Sequence, residues 1–213
     1  MFLRLLILGL GAGMLMTAPV SAQVAVSKPI KLVVLGDSLS AGLGLAAAAA
    51  FPARLQKALK DRGIEVDMVN AGVSGDTTSG GLERLDWSVA DGTQAVIVEL
   101  GANDALRGID PKISKAALMQ ILARLKTRGI KVLLCGMLAP PNYGADYSAQ
   151  FDAIYPKLAK QFGVLFYPFI LDGVAANPKL NQADGIHPNP AGVKIIADRM
   201  MPYVKQLVLQ AKR

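Results

Sequence analysis

The chain has 213 residues, with 23 Lys and Arg against 16 Asp and Glu, and a formal net charge of +7 with its one histidine neutral. The basic residues are scattered without a block of like charge. This argues for a solvated basic surface and against nucleic-acid binding, and leaves room only for a loose attraction to anionic membrane surfaces. The single cysteine, Cys135, cannot form an internal disulfide and follows the apolar run 132–134, where it reads as a small buried residue.

In chain order, Arg4 gives a positive start, residues 5–16 are apolar, and Val20-Ser21-Ala22 resembles a small-residue cleavage site. The pattern predicts a secretory signal peptide over 1–22, its apolar core being shorter than the ~20 residues of a spanning helix. Removing it takes away only Arg4 and leaves a net charge of about +6 on the side chains. Residues 23–213 then fit one domain with an ample core. Apolar runs predict strands at 31–35, 64–69, 95–100, 130–134 and 164–166. Helical patterns fall between them. One spans 52–62 and stops at Gly63, with the alanines at 46–50 as its entry. A second spans 111–128, with Asp110 as N-cap and Gly129 as stop. A third spans 148–162, kinked at Pro156 and stopped by Gly163, and the last spans 190–209 after Asn189, bent at Pro202. Such alternation implies an α/β fold with a mostly parallel five-stranded sheet and helices on both faces.

The chemistry gathers at the strand ends. The first strand runs into Gly36-Asp37-Ser38-Leu39-Ser40, which puts Ser38 at the carboxyl end of a buried strand, where open α/β sheets hold their ligands. A serine hydroxyl needs a base, and the only imidazole is His187 in Ala183-Asp184-Gly185-Ile186-His187. Asp184, three residues earlier, is close enough in a turn to hold the other ring nitrogen, giving a Ser38, His187, Asp184 set. The second and third strands lead into 70–77 and 101–104, rich in Gly, Ser, Asn and Asp. Glycine N–H groups and an asparagine amide are the parts of an oxyanion hole. Asp37 and Asp104 read as loop-bracing residues. Tyr143 and Tyr147, in the Gly-Pro-rich loop after the fourth strand, are candidates for lining an acyl pocket or for loop packing.

These blocks resemble those of the SGNH, or GDSL, hydrolase family: Ser38 in G-D-S-L-S, Gly75 in S-G-D-T, Asn103 in G-A-N-D and His187 in D-G-I-H. The likeness is closer to its bacterial thioesterase I, lysophospholipase and arylesterase subgroup, through N-A-G-V-S-G-D-T-T, P-P-N-Y-G and A-I-Y-P-K-L-A-K. The resemblance implies a flavodoxin-like three-layer α/β/α fold and a hydrolase without cofactor or metal. It also implies an oxyanion hole built from Ser38 N–H, Gly75 N–H and the Asn103 side chain. Ala102 stands where the subgroup often has a second glycine. The expected activity is that of an exported bacterial serine esterase, periplasmic or secreted. Its substrates would be small acyl or aryl esters, thioesters or lysophospholipids. Alternatives are a carbohydrate acetyl esterase with the same residues and a non-catalytic binding module. An ordinary α/β-hydrolase elbow needs glycine where this chain has Ser40, and no phosphate loop with a lysine follows the first strand.

Overall fold

The computed structural model describes residues 28–212, and the leader expected over 1–22 lies outside the described residues. In chain order the elements are β1 (Ile30–Gly36), α1 (Ser38–Ala41), α2 (Phe51–Lys60), β2 (Val66–Gly72), α3 (Thr78–Glu83) and α4 (Leu85–Ser88). There follow β3 (Ala95–Glu99), α5 (Ala102–Leu106), α6 (Pro111–Thr127), β4 (Lys131–Cys135), α7 (Ala145–Asp152), α8 (Ile154–Phe162), β5 (Leu165–Tyr167) and α9 (Pro190–Ala211). The strands form one sheet in the order β2-β1-β3-β4-β5, every neighbouring pair parallel.

The central strands are apolar on both faces because helices cover both. In β3 every residue from Ala95 to Glu99 is buried, and in β1 only Lys31 is partly exposed. Helices α2 and α9 pack together on one face, and α3, α6 and α8 on the other. Among the described residues no helix is long and apolar enough to cross a membrane.

Departures from the sequence reading have local causes. Strand β2 lies two to three residues later than the apolar run 64–69, because Asn70, Ala71 and Gly72 pair with Val34, Leu35 and Gly36 of β1. The Asn70 side chain serves that edge too, its Nδ2 donating to Ser40 C=O at 2.9 Å. Strand β5 is displaced by one residue to match Leu133–Cys135. The helix expected over 148–162 is two helices that meet at Ala153. Pro156 has no N–H for the Asp152 carbonyl four residues back, so the helix breaks one turn upstream of the proline. The alanines at 46–50 form a short 3₁₀ turn, Ala47–Ala49, ahead of α2. The caps of α6 and α9 fall where the sequence put them: Asp110 Oδ1 accepts from Lys112 N–H, and Asn189 Oδ1 from Ala191 and Gly192 N–H. Helix α9 continues through Pro202 as one element.

At the carboxyl edge β1 is crowded. A Cβ on Gly36 would lie 2.2 Å from Ser40 Oγ and 2.6 Å from Glu99 Oε2, both buried. Gly36→Ala should therefore destabilise the fold by about 1–3 kcal/mol, seen as a lower urea midpoint with the m-value unchanged.

Candidate active site

Because all five strands run one way, β1, β2 and β3 deliver their following turns to the same edge. The turn after β1 passes through Asp37, the N-cap of α1, whose Oδ1 accepts from Leu39 N–H at 3.0 Å. Ser38 is thus the first residue of a short helix, and its side chain faces out from the sheet edge toward the C-terminal loop. Its Oγ lies 2.8 Å from His187 Nε2, across 149 residues of chain. His187 Nδ1 lies 2.7 Å from Asp184 Oδ2.

The loop carrying that pair is held by its backbone. Gln182 N–H donates to His187 C=O at 2.7 Å, Asn181 and Pro188 form an isolated antiparallel bridge, and Gln182 Nε2 reaches Leu43 C=O at 2.8 Å. The last bond ties the loop to the chain just past α1. Asp184 is exposed, yet its carboxyl is held down to about 2, first by the His187 backbone N–H, then by the His187 ring and the Ile186 N–H. It is an anion at neutral pH, which fixes the imidazole proton on Nδ1 and leaves the Nε2 lone pair to the Ser38 hydroxyl.

The other expected groups stand nearby. Asn103, in α5, lines the same cleft as Ser38 and His187, and its Nδ2 donates to Asp76 C=O at 2.9 Å and to Asp37 Oδ2 at 3.3 Å. Gly75, at φ +86°, does not line the cavity. Its carbonyl is held by Arg107 Nη2 at 2.8 Å. Among the described residues neither Ser38 N–H nor Gly75 N–H has a protein acceptor. Asp104 is fully buried and takes three bonds, from Thr78 N–H, Thr78 Oγ–H and Ser114 Oγ–H, which lock α3 and α6 to the turn after β3. Asp76 pairs with Arg84, whose other nitrogens hold Ala71 and Gly36 carbonyls.

From Ser38 and His187 a cavity of about 370 Å³ runs over the sheet edge. Its walls include Leu106, Met137, Leu138, Phe169, Leu171 and Ile186, and among the described residues no lysine, arginine or carboxylate lines it. Tyr143 and Tyr147, considered above for an acyl pocket, are not among its walls. Their hydroxyls donate to Leu106 C=O at 2.9 Å and Ile109 C=O at 3.0 Å. Their rings begin a row continued by Phe151 and Tyr155. A loop tyrosine satisfies its hydroxyl wherever free carbonyls lie, here the end of α5, and so braces the cleft from behind. Among the described residues no group of three or more His, Cys, Asp or Glu is placed to hold a metal ion.

Sequence reasoning missed Gln182, Asn181 and Glu99. The first two carry no compositional signal. Glu99 carried one: a carboxylate inside the otherwise apolar strand run 95–100 has to be answered by polar partners.

The profile of the GDSL-like Lipase/Acylhydrolase family matches residues 34–195. Esterase TesA of Pseudomonas aeruginosa is 40% identical over 205 residues, 96% of this chain and 98% of that protein. Thioesterase 1/protease 1/lysophospholipase L1 of Escherichia coli is 43% identical over 178 residues, 83% of this chain and 84% of that protein. Among solved structures, AlinE4, described as an SGNH-hydrolase family esterase, superposes with a TM-score of 0.72 at 42% identity, covering 84% of this chain and 96% of that one.

Beside Ser38, burial pushes the Asp37 carboxyl from its ordinary 3.8 up to about 6. An acid that is harder to ionise in the folded chain stabilises the fold below its unfolded pKa, and that contribution is lost as the pH rises toward the folded value. Asp37→Asn removes the titration. Relative to the parent protein, the variant should therefore gain stability between pH 4 and pH 6, by up to about 1 kcal/mol per pH unit, in urea unfolding across that range.

Proposed function

Since the chain belongs to the GDSL-like lipase/acylhydrolase family and is a carboxylic ester hydrolase, we propose that it cleaves acyl and aryl esters, thioesters or lysophospholipids by a Ser-His-Asp mechanism. Ser38, His187 and Asp184 would carry the chemistry. The observation that carries this reading is the continuous relay from Asp184 through His187 to Ser38, at 2.7 and 2.8 Å, opening into an uncharged apolar cavity.

In the first half-reaction Ser38 Oγ attacks the carbonyl carbon while His187 Nε2 takes its proton, and Asp184 stabilises the imidazolium. The carbonyl oxygen becomes an oxyanion. Ser38 N–H, Gly75 N–H and the Asn103 amide are its proposed donors. The Asn103 contact with Asp37, at 3.3 Å, is the longer of the two it makes, so that proton is the one free to turn to the substrate. Collapse of the intermediate breaks the bond to the alcohol or thiol, which leaves with the proton from His187. Water then attacks the acyl-enzyme, His187 again taking the proton, and the acid and free Ser38 are released.

The cavity favours a neutral, apolar acyl or aryl group. A sugar would leave its hydroxyls without partners against such walls, so the carbohydrate-esterase reading has no support in them. The leader-like residues 1–22 support export to the periplasm or beyond, where bulk acyl-CoA is absent, and so favour esters and lysophospholipids as physiological substrates.

Fluorophosphonate labelling followed by peptide mapping tests the nucleophile. One label should fall on Ser38, and Ser38→Ala should abolish both label and turnover, whereas a label on another serine overturns the assignment. Asn103→Ala should lower kcat by about 10²–10³-fold with little change in KM. His187→Ala should cost several powers of ten, since the chain has no second histidine to replace it. Ala139 lines the cavity. Ala139→Phe should lower kcat/KM for an octanoyl p-nitrophenyl ester relative to the acetyl ester by about tenfold or more.

A further inference from the structure

Directly beneath the nucleophile turn lies a second carboxyl group that the mechanism above does not use. Glu99 ends β3, and the parallel register sets it beside Gly36, the last residue of β1. It is completely buried. Its Oε2 accepts from Ser40 Oγ–H at 2.6 Å and from Asp37 N–H at 3.3 Å. These two donors flank Ser38 on either side. The other oxygen, Oε1, is buried with no partner among the described residues, and Glu99 borders a void of about 10 Å³ lined also by Leu39, Phe51, Ile170, Pro188, Val193 and Ile196. Leu39 follows the nucleophile and Pro188 follows the base. The carboxyl group therefore sits between the two segments that must bring Ser38 and His187 together.

We propose that Glu99 is a positioning residue for the nucleophile, its carboxyl group clamping Asp37 N–H and Ser40 Oγ–H so that Ser38 stays at hydrogen-bond distance from His187. This rests on the Ser38 reading of the preceding section. The clamp is held as the neutral acid. Among the described residues no cation pairs with Glu99. The titratable side chains that interact with it electrostatically are Asp37 on the turn, Cys135 at the end of β4 and Tyr155 on α8, none of them cationic. An anion there would have a buried oxygen without a donor and a second carboxyl group beside it, and burial together with Asp37 drives its pKa well up. A neutral carboxyl group still offers the carbonyl oxygen that the two donors need. Its removal would let the turn relax, and displacements below 1 Å at a nucleophile are costly to rate while leaving the substrate cavity intact.

The test uses the full mature protein and four forms: the parent, Glu99→Gln, Glu99→Ala and Ser40→Ala. The readouts are the rate of fluorophosphonate labelling, kcat and KM on a p-nitrophenyl ester, and the protonated-carboxyl carbonyl band in the infrared difference spectrum against Glu99→Gln at pH 7. Glu99→Ala should slow labelling and kcat by about 10–10²-fold, with KM within about threefold. Glu99→Gln, which keeps an acceptor in the same place, should recover both to within about fivefold of the parent. Ser40→Ala removes the shorter contact with little change in volume, should slow labelling by about tenfold, and carries the test if Glu99→Ala does not fold. The difference spectrum should show one neutral carboxyl group belonging to the parent. Three results would each overturn the proposal. One is a folded Glu99→Ala or Ser40→Ala protein that labels at the parent rate, even if it melts earlier. Another is a Glu99→Gln protein as slow as Glu99→Ala, and the third is a difference spectrum without the band. A label on a serine other than Ser38 in the parent would instead refute the mechanism, so the two failures are separable.

Discussion

Parallel pairing of β1 with both β2 and β3 fixes where three turns end, and the site is made of those turns. The pairing does more than gather them. Register sets Gly36 beside Gly72 on one side and Glu99 on the other, so the turn that carries Ser38 begins in a gap that only a glycine fits. Around that gap the polar groups are accounted for in layers. Arg84 takes the Gly36 and Ala71 carbonyls, Asp104 takes Thr78 and Ser114, and Asn70 holds Ser40. Buried polar groups at this density are tolerable only because nearly every one has a partner, and that completeness makes the edge rigid.

How far the sequence could be read follows from burial. Strands β1, β3 and β4 are covered on both faces, so their apolar runs are continuous and their positions could be read within a residue or two. Strand β2, half-exposed at one edge, has its run interrupted by Glu65 and Asp67, and its ladder extends into Asn70-Ala71-Gly72, residues that look like a loop until β1 supplies partners. The short helices α1, α3, α4 and α5, of four to six residues each, are below the length at which a 3.6-residue period can register. They form because the turn geometry and their neighbours favour them.

At the candidate site, scarcity narrowed the reading most. A chain with one imidazole limits the choice of base, and Asp184 three residues away limits the choice of its partner. The groups without such signals stayed hidden. Gln182 matters through a backbone carbonyl 139 residues away, and Tyr147 through one 38 residues away, and neither contact has a local pattern. The cavity walls were equally silent, because methionine, leucine, phenylalanine and alanine in loops read the same whether they face a core or a cleft.

About half of those walls come from a different part of the fold than the relay they serve. Met137 and Leu138 follow β4, and Phe169 and Leu171 follow β5, while the proposed reacting groups sit on the turns after β1 to β3 and on the segment before α9. The far half of the sheet edge can therefore be rebuilt, by lengthening a loop or exchanging one side chain, without disturbing a single bond of the relay. Lineages sharing this scaffold are free to diverge in what they recognise while inheriting an unaltered hydrolytic step, and a laboratory library confined to residues 137–141 and 169–176 would sample selectivity in the same way.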